Sequence, residues 1–147
     1  MYVIIDIDGT LADSTQRAAL SGQAFWDPAR VLKDTRIEGS LEAIKNFQRL
    51  NYELVFLTGR PEHLRDVTER WLQENYGIAV HRERLLMRSG GNMLTVREYK
   101  REQLNNALSG MDRARGVLCI DNDPEMWPML AEFGAVLKAP QCWKALA

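Results

Sequence analysis

Tyr2-Val-Ile-Ile-Asp6-Ile-Asp8-Gly9-Thr10-Leu11 decides the fold class. Four apolar, largely β-branched or aromatic residues in a row read as a strand buried on both faces. The run stops at two aspartates one residue apart, and Gly9 then permits a sharp turn with its backbone N–H groups turned outward. Working outward, Leu54-Val-Phe-Leu57 and Val117-Leu-Cys-Ile120 have the same character, and each also ends in polar residues, Thr58-Gly59-Arg60 and Asp121-Asn122-Asp123. Helical patterns fill the gaps. Ser40 is expected to cap a helix with Leu41, Ile44, Phe47 and Leu50 on its apolar face, and Pro61 to open one with Leu64, Val67, Trp71 and Leu72. A further helix is expected over Thr95 to Leu108, and another from Pro124 to Phe133. Ser14 to Ala24 reads as helical or mobile. Weaker strands are expected at Ile78–Val80 and Leu85–Met87, and an edge strand at Ala135–Leu137. Strands alternating with helices predict an α/β three-layer sandwich with a central parallel sheet, a single domain over residues 1–147.

Composition narrows the class further. Of 147 residues, 46% are hydrophobic and 27% charged, which excludes a disordered or fibrous chain. Nineteen Lys and Arg stand against 20 Asp and Glu, so a polyanion would have to meet a local patch rather than a basic protein. His81 to Arg101 offers such a patch, with six Lys or Arg residues against two acids. Two cysteines, Cys119 and Cys142, do not make a disulfide scaffold, and the reading is a reduced, cytoplasmic protein. Met1 to Ile5 lacks a basic flank and runs into Asp6 and Asp8, so it does not read as a signal peptide, and no apolar run reaches membrane length. Gly-x-x-x-x-Gly-Lys-[Ser/Thr] is absent, which excludes kinase chemistry through a P-loop.

Adjacent parallel strands deliver their carboxyl ends to one crevice. Asp6, Asp8 and Asp121 are thereby expected to converge. Carboxylates so crowded call for a cation, and oxygen-only ligands favour a hard ion such as Mg²⁺. Each residue taken alone has an ordinary alternative. Thr58 could cap the next helix, Lys100 could be a solvated charge, and Asp123 before Pro124 could be a cap. His63 and His81 show no ligand spacing and read as structural or exposed. Trp71, Trp127, Trp143 and Cys119 read as core, and Trp26 beside Asp27-Pro28 as near the site.

Together these residues resemble the four motifs of the haloacid dehalogenase-like (HAD) hydrolases: Asp6-Ile-Asp-Gly-Thr-Leu11, Val55-Phe-Leu-Thr-Gly-Arg60, Lys100, and Cys119-Ile-Asp-Asn-Asp123. The resemblance implies a HAD-like Rossmannoid fold in which Asp6 is the nucleophile and Asp8 the general acid and then base. It implies Mg²⁺ held by Asp6, the Asp8 carbonyl and Asp121, with Thr58, Gly59 and Lys100 on the phosphoryl group. The interval from Thr10 to Leu54 is too short for a full cap domain, so the enzyme is expected to be capless or minimally capped. Arg17 and Arg60 are placed as in the phosphatase domain of phage-type polynucleotide kinase, which the Leu85–Arg88 region and Gln141-Cys-Trp143 also resemble. They imply phosphate-binding roles for both arginines. Asn122 departs from the common second acid of the fourth motif and stands with Asp123 as an accessory residue. Val96 stands where an acid is usual, with Glu98 nearby but out of register. The resulting expectation is a Mg²⁺-dependent phosphomonoesterase acting on a DNA or RNA 3′ end, with a phosphatase subunit beside a separate kinase or ligase as a further alternative. A small-molecule nucleotide or sugar-phosphate phosphatase and a non-catalytic phosphate- or nucleic-acid-binding module are the alternatives.

Overall fold

A computed structural model describes residues 1–147. In chain order the elements are β1 (Tyr2–Ile5), β2 (Ala12–Asp13), α1 (Gly22–Phe25), α2 (Pro28–Val31), β3 (Thr35–Arg36), α3 (Ser40–Arg49), β4 (Glu53–Pro61), α4 (Arg65–Tyr76), β5 (Leu85–Arg88), α5 (Val96–Ser109), β6 (Val117–Asp121), α6 (Trp127–Leu130), β7 (Ala135–Lys138) and α7 (Trp143–Leu146). Five strands form one parallel sheet in the order β5-β4-β1-β6-β7. The apolar run that opens the chain becomes the central strand because it is buried on both faces.

Successive residues of a strand point to opposite sides. Val3, Ile5, Phe56 and Ile120 therefore join one core with Ala43, Ile44 and Phe47 of α3, Trp71 and Leu72 of α4 and Trp143 of α7. Ile4, Val55, Leu57 and Cys119 join the other, with Leu104 and Leu108 of α5 and Met129 and Leu130 of α6. The three layers expected from the alternation are present. Chain winding reverses at β1, between β4 and β6, so a crevice opens beyond the carboxyl ends of those three strands.

Between β1 and β4 a second sheet of two strands pairs Ala12 with Arg36 and Asp13 with Thr35. It carries α1 and α2 on its connection, which makes a cap of minimal size. Several local expectations are corrected. Helix α3 is capped by Gly39 at φ +82, not Ser40, because Ser40 spends its hydroxyl on the Ile37 carbonyl and Tyr76. Leu50, at the C-cap, is 59% exposed. Pro61 ends β4, and a 3₁₀ turn over Glu62–Leu64 separates it from α4. Ile78–Val80 is not a strand, since β5 already covers that edge of β4. The segment from Pro124 to Phe133 holds only the single turn of α6 as α-helix. Ser14 to Ala24 is a 3₁₀ turn, Thr15–Arg17, followed by the start of α1.

Candidate active site

Asp6 follows β1 directly, with its backbone N–H bonded to the Ile120 carbonyl of β6 at 3.0 Å. The strand pairing thus sets Asp6 beside Asp121, the last residue of β6. Lys100, in the second turn of α5, reaches between them: its Nζ lies 2.9 Å from Asp6 Oδ1 and 2.7 Å from Asp121 Oδ2. All three are buried. One ammonium thus serves two carboxylates, and the remaining negative charge is felt by Asp6. Burial, with Asp121 and Asp8 nearby, outweighs Lys100 and pushes the Asp6 carboxyl up to about 7. The Lys100 ammonium is held well above the usual range, because the two carboxylates outweigh the opposing cost of burial.

Asp8 is governed by different neighbours. Arg17 Nη2 lies 2.7 Å and Arg60 Nη2 2.8 Å from its Oδ1, and Arg60 Nε bonds Oδ2 at 3.0 Å. Burial alone would raise this carboxyl, but Arg60 and Arg17 more than offset it and hold it below the ordinary value. Both guanidinium groups are fully buried and neither lines the cavity. Both also donate to Asp34, whose Oδ1 accepts from Arg17 Nε at 3.1 Å and whose Oδ2 accepts from Arg17 Nη2 at 2.8 Å and Arg60 Nη2 at 3.4 Å, while Arg17 Nη1 donates to the Phe25 carbonyl and Arg60 Nη1 to Thr68 Oγ1, each at 3.2 Å. Two carboxylates and two guanidiniums form a closed, charge-balanced cluster. Asp34, on the minimal cap, carried no sequence signal, since its partners lie 17 and 26 residues away.

The cavity beyond the strand ends has a volume of about 770 Å³. Asp6, Asp8, Gly59, Lys100, Asp121, Asn122 and Asp123 line it. Thr58 is fully buried behind Gly59, with its Oγ1 accepting from the Arg60 N–H at 3.1 Å. Among the residues expected at the site, Thr58, Arg17 and Arg60 are therefore not brought to the cavity wall. Trp26 does line it, as do His63 and Arg88, which had no assigned role. Most of the basic stretch faces elsewhere: Arg82, Arg84 and Arg101 pair with Glu62, Glu53 and Glu132 on the surface. Glu98 closes a capping box with Thr95 at the start of α5, so it does not replace the acid missing at Val96. Asp123 caps the turn after β6 through the Glu125 N–H, at 2.9 Å.

Gly9 gives the first loop its shape. It sits at φ +81, and a Cβ there would lie 2.3 Å from the Asn122 amide. That amide rests against the loop, with one terminal atom 3.3 Å from Asp6 Oδ2 and 3.1 Å from the Asp8 carbonyl. With nitrogen inward it donates to both. No trio of carboxylate, imidazole or thiol groups is gathered as a ready cage, since Asp8 turns to the arginines. The available donors are nevertheless all oxygens, and excess negative charge surrounds them. Such a set fits a hard divalent cation and not zinc.

Two tryptophans pin the loops that bear these groups. Trp143 Nε1 donates to the Thr10 carbonyl and Trp127 Nε1 to the Asp121 carbonyl, each at 2.9 Å.

A family model described as the polynucleotide kinase PNKP phosphatase domain, of HAD type, matches residues 1–130. Among solved structures, a chain of the Pnkp1/Rnl/Hen1 RNA repair complex superposes with a TM-score of 0.75 at 22% identity, over 94% of this chain and 42% of that one. A second structure of the Pnkp1/Rnl/Hen1 complex gives 0.73 at 22% identity, over 93% and 44%. The chain thus spans under half the length of those neighbours. No curated protein matches it. The chain belongs to the HAD-type polynucleotide kinase phosphatase-domain family.

Proposed function

We propose that the chain is a Mg²⁺-dependent phosphomonoesterase that removes the 3′-phosphate from a nucleic-acid end through a covalent phosphate on Asp6. The observation that carries this reading is the Asp6 carboxylate at the floor of an open cavity, with Lys100 Nζ 2.9 Å from its Oδ1. A nucleophile with a fixed cation beside it is what phosphoryl transfer requires, because the reaction is mostly positioning and charge stabilisation.

In the first half-reaction an Asp6 carboxylate oxygen bonds to phosphorus, the bond from phosphorus to the 3′ oxygen breaks, and a proton from Asp8 passes to that oxygen. In the second, water attacks phosphorus, its proton goes to Asp8, and the phosphate leaves Asp6. Two guanidiniums at 2.7 and 2.8 Å favour ionised Asp8 at rest, which suits the second step. A phosphate dianion arriving beside Asp8 raises its proton affinity, which prepares it for the first. Lys100 neutralises charge on Asp6 and on the phosphoryl oxygens it faces. Asp6, the Asp8 carbonyl and Asp121 would hold the cation, with Asn122 at its side. When bound, the cation supplies positive charge at the phosphoryl group.

Arg17 and Arg60 act in this reading as the holders of Asp8, since their donors are spent on Asp8, Asp34, the Phe25 carbonyl and Thr68. The description of one neighbour as an RNA repair complex supports an RNA end as substrate and other repair proteins as partners. The test is phosphate release from a 3′-phosphorylated oligonucleotide against a 5′-phosphorylated one and 3′-mononucleotides, each with Mg²⁺ and with chelator. Mg²⁺-dependent release confined to the 3′-oligonucleotide is expected. Equal release from mononucleotides moves the function to small-molecule metabolism.

A further inference from the structure

Trp26 stands apart from the other tryptophans. Trp71, Trp127 and Trp143 each close their indole N–H onto a backbone carbonyl, of Asp34, Asp121 and Thr10, at 2.8 to 2.9 Å. Trp26 makes no such bond, is only half-buried, and lies on the wall of the catalytic cavity. It is the one large aromatic ring in a wall of charged, polar and small residues. Its position is nonetheless fixed. Phe25 meets it edge-on, with ring centroids 4.5 Å apart at 80°, and the Arg17 guanidinium carbon lies 5.3 Å from its ring centre. Arg17 in turn binds the Phe25 carbonyl at 3.2 Å and Asp8 at 2.7 Å. The indole is therefore held in a set relation to Asp8, at no ordering cost when a ligand arrives.

A phosphate group needs charge and hydrogen bonds, and the Asp6–Lys100 end supplies both. It has no use for a rigid, half-open indole. A nucleobase does, because every base presents a π-face and stacking tolerates any sequence. We propose that Trp26 is the stacking platform for the terminal base of a single-stranded 3′ end, so that the cavity takes a base-bearing nucleotide and not a bare phosphate ester. Arg88, on the same cavity, offers positive charge to the backbone of such a strand. This inference rests on the end-healing reading above.

The test compares two 3′-phosphorylated oligonucleotides, one with an ordinary terminal nucleotide and one ending in a tetrahydrofuran abasic residue, on wild type, Trp26→Ala and Trp26→Phe. Wild type should prefer the base-bearing end by roughly tenfold or more in kcat/KM, the scale of one stacked base. Trp26→Ala should reduce that preference to near unity, and Trp26→Phe should retain most of it. Binding is read independently in Asp6→Asn, whose tryptophan fluorescence should be quenched by the base-bearing end more than by the abasic one. If Trp26→Ala misfolds, the Phe variant and the fluorescence comparison decide. An unchanged preference in Trp26→Ala, or equal quenching by both ends, overturns the stacking role while phosphatase activity stands. Absence of release by wild type from either oligonucleotide overturns the end-healing reading and this inference with it.

Discussion

At the scale of the residue, the centre is an unequal arrangement of charge. Asp6 and Asp121 share Lys100, and the Asp6 carboxyl is pushed up to about 7, chiefly by burial. Because its folded value exceeds the unfolded one, folding is favoured by this group at acid pH. That contribution fades as pH rises from about 4 to about 7 and is absent above. In chelator, Asp6→Asn should therefore melt several degrees above wild type at pH 8, and the difference should close towards pH 4; thermal melts across this range check it. Mg²⁺ should raise the wild-type melting temperature by binding the native state alone, and should have little effect on Asp6→Asn. Lys100→Met leaves two buried carboxylates without their cation. It should lower kcat by roughly 10²–10³-fold, the usual effect of losing one preorganised charge, which steady-state kinetics will show. These three residues were legible in the sequence because each stands at the end of a strong apolar strand or at a motif position. Asp34 was not. A carboxylate inside Leu32-Lys-Asp-Thr-Arg36 resembles any surface acid, and only the folded chain reveals its two guanidinium partners.

At the scale of the element, the segment between β1 and β4 does more than shorten a cap. It brings Arg17 to Asp8 and Asp34 to Arg17 and Arg60, so the small hairpin of β2 and β3 is part of the scaffold that holds Asp8. Asp34→Asn removes a fully buried charge from a balanced cluster of four. It should cost about 3–5 kcal/mol of stability, as breaking a buried ion pair does, and should lower kcat more than it raises KM; denaturant melts and kinetics separate the two effects. Were Arg17 and Arg60 phosphate ligands instead, KM would carry the loss. A control lies in α5: Thr95→Ala breaks the capping box and should cost about 1 kcal/mol with kcat/KM unchanged. Strands were well read from sequence because burial on both faces leaves continuous apolar runs. Helix starts were read less well. Ser40 and Pro61 carry helix-start chemistry, yet tertiary contacts claimed the Ser40 hydroxyl, and the strand claimed Pro61.

For the whole molecule, the parallel order β5-β4-β1-β6-β7 makes the site, since winding outward from β1 in both directions brings Asp6, Gly59 and Asp121 to one crevice. The charge reading at this scale changed most. A stretch with six basic residues looks like a nucleic-acid face, but surface acids from distant parts of the chain pair with three of them. Arg88 and Lys100 alone reach the cavity. Pairing of that kind depends on which surfaces meet, and local composition does not encode it. In the proposed mechanism Asp6 carries the phosphoryl group. The direct measurement is rapid acid quench of the Mg²⁺-loaded protein during turnover of an oligonucleotide labelled in its 3′-phosphate, followed by peptide mapping. Label is expected on the amino-terminal peptide containing Asp6, formed and lost at rates compatible with turnover and absent in Asp6→Asn. Turnover with no protein-bound label at any time, or label on another residue, would contradict it.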